Sequence, residues 1–143
     1  MTLIRQTIRE YVVAQLVAGD TSAETRVYNA RLIPLESSGL PLINVMTGNE
    51  EVDPGSSGYS HQGRRVKKIP LLINAIIKAV PGEEIGNEID DLCEEITDII
   101  NPDFNLNKNV VRCEYIRTTV SMDSESSYPF AFAVIEYECE FVE

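Results

Sequence analysis

Apolar positions in this chain change period several times, and each change marks a predicted element. Leu3, Ile4, Ile8, Tyr11, Val12 and Leu16 recur at three- and four-residue spacing, which predicts a helix over residues 2–17. Its other face carries Arg5, Gln6, Arg9 and Glu10, the mark of a helix packed on one side and wet on the other. Gly19-Asp20-Thr21-Ser22 stops it. Strand-favouring Val27, Tyr28, Leu32 and Ile33 follow, Pro34 ends that run, Ser37-Ser38-Gly39 turns the chain, and Pro41 leads into a second strand over 42–47.

Residues 48–65 contain Pro54, Gly55, Ser56, Ser57, Gly58, Ser60 and Gly63, too little apolar surface to fold alone, and predict a mobile loop. A structureless connection of this length is usually functional or ordered by a partner. Beyond it IPLLINAIIKA is apolar on both faces, so it is placed centrally in a sheet: Ile69, Leu71, Ile73, Ala75 and Ile77 on one face, Leu72 and Ile76 on the other with Lys68, Asn74 and Lys78. Pro81-Gly82 turns the chain into a second helix over 83–100. There Ile85, Ile89, Leu92, Ile96 and Ile99 form one narrow stripe, and Asn101-Pro102 ends it. Two alternating strands close the chain, over 109–121 and 130–142. In the last, Ala131, Ala133, Ile135, Tyr137, Cys139 and Phe141 point one way; Phe130, Phe132, Val134, Glu136, Glu138 and Glu140 point the other. The predicted fold is α+β: one domain over 1–143, with about five strands in a mixed, mostly antiparallel sheet and two helices packed on it, in the order α-β-β-β-α-β-β.

The motif VYNARLIPL, continued by LPLINVMTGNEEVD after an N-terminal helix, resembles the start of bacteriophage tail-terminator proteins, the minor tail protein U-like group. Element order and length downstream extend the resemblance over most of the chain. It carries Tyr28, Arg31, Pro34, Leu40, Pro41 and Val45 as positions of a structural motif. It implies a virion protein whose copies close into a ring, typically a hexamer, on the last ring of the tail tube. Such a ring stops tube growth and presents a surface to the head connector or neck, while DNA passes through without specific binding. A head-tail joining or tail-completion protein is the alternative in the same setting.

Composition narrows the chemistry. The formal net charge of -11 over 143 residues argues against non-specific phosphate binding and suits solubility or a DNA-repelling lining. Against that background Arg64, Arg65, Lys67 and Lys68 are the densest basic run, and the overall charge favours contact with an acidic face of another copy. We expect these cations, with Phe130 and Phe132 and the acidic row Glu136, Glu138 and Glu140, to form subunit or partner contacts. No apolar run reaches the ~18 residues that span a bilayer, and MTLIRQTIREYVV has no secretory pattern, so a cytoplasmic protein without membrane contact is expected; assembly in the host cytoplasm and entry into the virion tail are what the resemblance implies.

The only histidine, His61, lies in the predicted loop, which leaves no rigid base for a nucleophilic triad. No GxGxxG, GxxxxGK[ST] or HExxH is present. On the second helix Asp91 with Glu95 and Glu94 with Asp98 are one turn apart and could hold Mg²⁺ or Ca²⁺ in a small metal-dependent enzyme, but nothing completes a ligand set, and a solvated helix face is the simpler account. Cys93, Cys113 and Cys139, odd in number and far apart along the chain, read as buried free thiols. No catalysis, cofactor or metal is expected.

Overall fold

In a computed structural model the residues described are 3–31, 40–52, 66–79, 85–103, 105–123 and 130–142. They form α1 (Ile4–Ala18), β1 (Val27–Asn29), β2 (Leu42–Thr47), β3 (Glu51–Val52), β4 (Val66–Lys78), α2 (Ile85–Ile100), β5 (Arg112–Asp123) and β6 (Phe130–Val142). The strands make one mixed sheet in the order β1-β2-β4-β6-β5, with β3 added on β4. Every pairing is antiparallel except β1 with β2. The class is α+β, as the sequence predicts.

Both helices lie on one face of this sheet. Ile8, Val12 and Leu16 of α1 and Ile89, Leu92, Ile96 and Ile100 of α2 join the inward strand residues in one buried cluster. The alternation holds along β6 and along β4 from Ile69 on: Ile69, Leu71, Ile73, Ala75 and Ile77 are buried beside Ala131, Ala133, Ile135, Tyr137 and Cys139, while Val66 at the start of β4 is buried out of phase. Burying that many branched and aromatic side chains, at about 1.5–3 kcal/mol for each full burial, is what holds two helices on a sheet with short connections.

Four expectations need correction, and the pairing of the two early strands, left open by the sequence, is now defined. Leu3 precedes α1 and is exposed rather than part of its buried stripe. Arg9 is not on a wet face: Nε donates to Asn29 Oδ1 at 2.7 Å and a terminal guanidinium nitrogen to Thr47 Oγ1 at 2.8 Å, tying α1 to β1 and β2. Within the expected loop, Glu51 and Val52 pair with Lys68 and Lys67, so a sixth strand begins where only loop was read; 53–65 lie outside the described residues. The two early strands are parallel neighbours, Val27 to Ile43 and Asn29 to Val45, and β1 holds only three residues; Leu32, Ile33 and Pro34 lie outside the described residues. Finally, β5 does not alternate throughout. A bulge between Tyr115 and Arg117 shifts its register, so residues before Ile116 and after it obey opposite parities.

Between α2 and β5 the chain reverses through Leu106, Asn107 and Lys108, all left-handed at φ 46°, 53° and 68°. Side chains offset the roughly 1–2 kcal/mol that each such residue costs: Asp103 accepts from the Asn107 N–H and from the Tyr11 hydroxyl, Asn105 accepts from the Lys108 N–H, and Leu106 is fully buried.

Candidate functional site

With both helices on one side, the opposite face of the sheet is the surface on which most of the predicted contact residues meet. Register places its side chains in rows. Leu42, Ile76, Phe132 and Ser121 stand across β2, β4, β6 and β5; Tyr28, Asn44, Asn74, Val134 and Thr119 form the next row; Met46, Leu72, Glu136 and Arg117 the one after. Beyond them Pro70, Glu138 and Glu114 align, and then Lys68, Glu140 and Arg112. One end is therefore apolar and the other charged, as alternation along β6 foretold. Phe130 and Phe132 sit at the apolar end, half-buried, with ring centroids 5.8 Å apart.

The charged end carries its own counter-ions. Glu138 pairs with Lys68 at 3.4 Å, Glu140 with Arg112 at 3.1 Å and Glu136 with Arg117 at 3.9 Å; Arg112 also lies 3.6 Å from Glu114. Three cations face four carboxylates, which leaves this strip close to neutral despite the acidity of the whole chain. Each pair is part-exposed, so each contributes about 0–1 kcal/mol to folding. Their larger effect is on binding, because a partner must match alternating charge instead of neutralising a bare acidic row.

The bulge is what brings Arg117 here. Were β5 regular from Cys113 onward, Arg117 would oppose Ile135 in the core; the extra residue Ile116 moves it opposite Glu136 on the open face. Sequence reasoning missed Arg112 and Arg117 as functional candidates. Equal distance from the 124–129 connection would set Arg112 opposite Phe141; the same bulge is what sets it opposite Glu140. No signal in the residue pattern marks the bulge.

Of the basic run, Lys67 bonds Glu50 at 3.1 Å beside β3, and Lys68 bonds Glu138; Arg64 and Arg65 lie outside the described residues. The motif residues gather at the β1–β2 end. Tyr28 lies on the open face with the Arg31 guanidinium 5.6 Å from its ring centroid. Asn44 clamps Arg31 by accepting from its N–H at 3.2 Å and donating to its carbonyl at 2.9 Å. Val45 is buried and its carbonyl accepts from the Ala30 N–H, while Leu40 and Pro41 join through a cis peptide whose Pro41 carbonyl accepts from Arg26 Nε at 2.9 Å. Pro34 lies outside the described residues. These contacts position β1 and β2; none touches the ion-paired strip.

On the helix side, β5 extends past the cover of α2. Tyr115 is 44% exposed, Val120 43% and Met122 59%, although Val120 and Met122 oppose buried Ala133 and Ala131. Asp90, Cys93, Glu94, Thr97, Asn101, Tyr115 and Thr118 line a groove of ≈ 330 Å³ between α2 and this strand. Burial, with Asp90 beside it, pushes the Cys93 thiol up to about 11. At the groove's end Tyr137 donates to Asn101 Oδ1 at 2.6 Å and meets Tyr115 edge-to-face at 5.7 Å, and burial raises its phenol well above the ordinary range. Of the α2 carboxylates considered for a metal, Glu95 instead accepts from the Ser22 N–H and hydroxyl at 2.8 and 2.7 Å, fastening α2 to the turn after α1.

No protein-family model matches the chain, and no curated protein matches it. Among solved structures it is similar to a chain from the virion of a native gene transfer agent particle, with a TM-score of 0.51 at 13% identity over 95% of each chain. At that identity the likeness is one of fold. It spans almost the whole of both chains, so both helices and the sheet they cover belong to the shared architecture.

Proposed function

We propose that this chain is a structural protein of a phage-type tail, a terminator whose copies close into a ring on the end of the tail tube. The observation that carries this reading is the full-length fold likeness to a virion chain of a gene transfer agent. The open sheet face supports it. A face with Phe130, Phe132, Ile76 and Val134 at one end and matched ion pairs at the other is what a subunit contact requires, an apolar patch to dehydrate and a charged strip to set register.

A ring larger than a dimer needs two different patches on each subunit, because its contacts are heterologous. One patch is the open face, through Phe130, Phe132, Glu136, Glu138 and Glu140. Arg64 and Arg65, followed by Lys67, belong to the other and meet a neighbour's carboxylates, while Lys68 pairs with Glu138 on the open face. The remaining surfaces serve the tail tube protein on one side and the head connector on the other, and the net charge of -11 keeps passing DNA from adhering.

The test compares solution mass and thermal unfolding for the unmodified protein, Phe132→Glu, and the double change Arg64→Glu with Arg65→Glu. Both variants should lose the ring while unfolding at nearly the same temperature as an isolated subunit. An unchanged oligomer mass in either would remove that patch from the interface.

A further inference from the structure

The cysteines, distant in sequence, include one pair that the fold places together. Cys113 of β5 and Cys139 of β6 are directly opposed in register, and the Cys139 thiol donates to Cys113 Sγ at 3.7 Å. Opposed residues of antiparallel strands have Cα atoms about 4.5–5.5 Å apart, inside the range of about 4.4–6.8 Å that a disulfide spans. The sulfurs already face each other, so closing the bond requires side-chain rotation and a small approach of the strands, without rearrangement of the sheet. Both thiols are free in this structure.

We propose that Cys113 and Cys139 are a dithiol modification site, converted by peroxides to an intramolecular disulfide that staples the edge strand β5 to β6. The bookkeeping of atoms is complete with hydrogen peroxide as oxidant. Cys113 attacks one peroxide oxygen, the O–O bond breaks, water leaves, and a sulfenic acid forms. Cys139 sulfur then attacks the sulfenic sulfur, the S–O bond breaks and a second water leaves. Two thiols lose two hydrogens and two electrons, and the peroxide is reduced to two waters.

Geometry assigns the order. Cys113 is the hydrogen-bond acceptor of the pair and the more exposed of the two, so peroxide reaches it first. Cys139 is fully buried, and its hydrogen bond to Cys113 together with burial holds its proton far more tightly than usual, which suits a resolving thiol that reacts only once its partner is oxidised. Access comes through the edge: among the described residues β5 pairs only with β6, so local fraying of β5 exposes Cys113 without opening the rest of the sheet. The third thiol, Cys93, faces the groove from α2 and is not opposed to either.

The experiment exposes fully reduced protein to hydrogen peroxide at mildly alkaline pH, alkylates remaining thiols after unfolding, and reads intact mass and peptide map. The expected result is one alkylated cysteine, Cys93, and a linked peptide joining Cys113 to Cys139, reversed by dithiothreitol and unaffected by Cys93→Ser. In Cys139→Ala the expected product is a sulfenic acid on Cys113 that dimedone traps. Three alkylated cysteines after treatment, or a disulfide that involves Cys93 or joins two chains, would overturn the proposal.

Discussion

Removing Arg9 tests whether α1 is held on the sheet by a specific fork of hydrogen bonds or by its apolar stripe alone. Its guanidinium gives one donor to Asn29 and one to Thr47 at 2.7 and 2.8 Å in a part-buried setting. A hydrogen bond with a charged partner contributes about 1.5–3 kcal/mol and an ordinary one about 0.5–1.5. Because the site is only part-buried, we assign about 1–1.5 kcal/mol to each, so Arg9→Ala should cost about 2–3 kcal/mol. At about 2–4 °C per kcal/mol for a chain near this size, Tm should fall by about 4–12 °C. Arg9→Lys should recover less than half of the loss, since a compact ammonium cannot fork to both acceptors. Arg5→Ala is the control: Arg5 is exposed on the same helix and should shift stability by less than about 0.5 kcal/mol. Urea unfolding of the three variants measures the free-energy changes, and thermal unfolding the fall in Tm. If Arg9→Ala behaved like Arg5→Ala, the fork would be irrelevant to stability and the reasoning wrong.

Three more outcomes follow from other contacts. Gly19→Ala drives a Cβ into Ile99 Cδ1 and to 2.9 Å from Cγ1 at an ordinary helical φ of −76°, so packing and not backbone strain is at stake; a loss of about 1–3 kcal/mol is expected, and Ile99→Val in the same chain should restore part of it. The Tyr11 hydroxyl bonds the Asp103 carboxylate, and that bond, burial and the nearby charge raise its phenol from 10.0 to about 12. A raised folded value means the stabilisation is complete below pH 10.0 and is lost as pH rises through about 12, so alkaline unfolding should steepen in that window and become shallower in Tyr11→Phe. On the open face, Arg117→Ala should change folding stability by less than about 1 kcal/mol, as its pair with Glu136 is long and exposed; a larger loss in thermal unfolding would show that the strip supports the fold itself.

The elements legible in the sequence are those whose burial is decided by period alone. In β4 from Ile69 on, in β6, and in α2 at Ile89, Leu92 and Ile96, core side chains sit where spacing puts them, because long regular elements packed on one face allow a single phase; at the end of α2 it is Ile100, not the expected Ile99, that is fully buried. What escaped the sequence depends on pairing between distant segments. Arg9 looked wet because its partners, Asn29 and Thr47, lie on strands read separately. The parallel arrangement of β1 and β2 leaves no trace in two short runs flanking a proline turn, and β3 is two exposed residues with no pattern to show. The bulge at Ile116 reverses the phase of β5 in mid-strand, which hid Arg117 as a partner of Glu136 and left the acidic row of β6 looking bare. Cys113 and Cys139 appeared remote for the same reason, since register, not spacing, makes them neighbours.

The most direct measurement on the central claim is the mass of the unmodified protein in solution, by light scattering behind a sizing column over a range of concentration, with the tail tube end added where the protein alone stays small. The account predicts a closed assembly of roughly six times the 16.0 kDa subunit, either free or on the tube end. A strict monomer under both conditions, with no binding to the tube end, would contradict it.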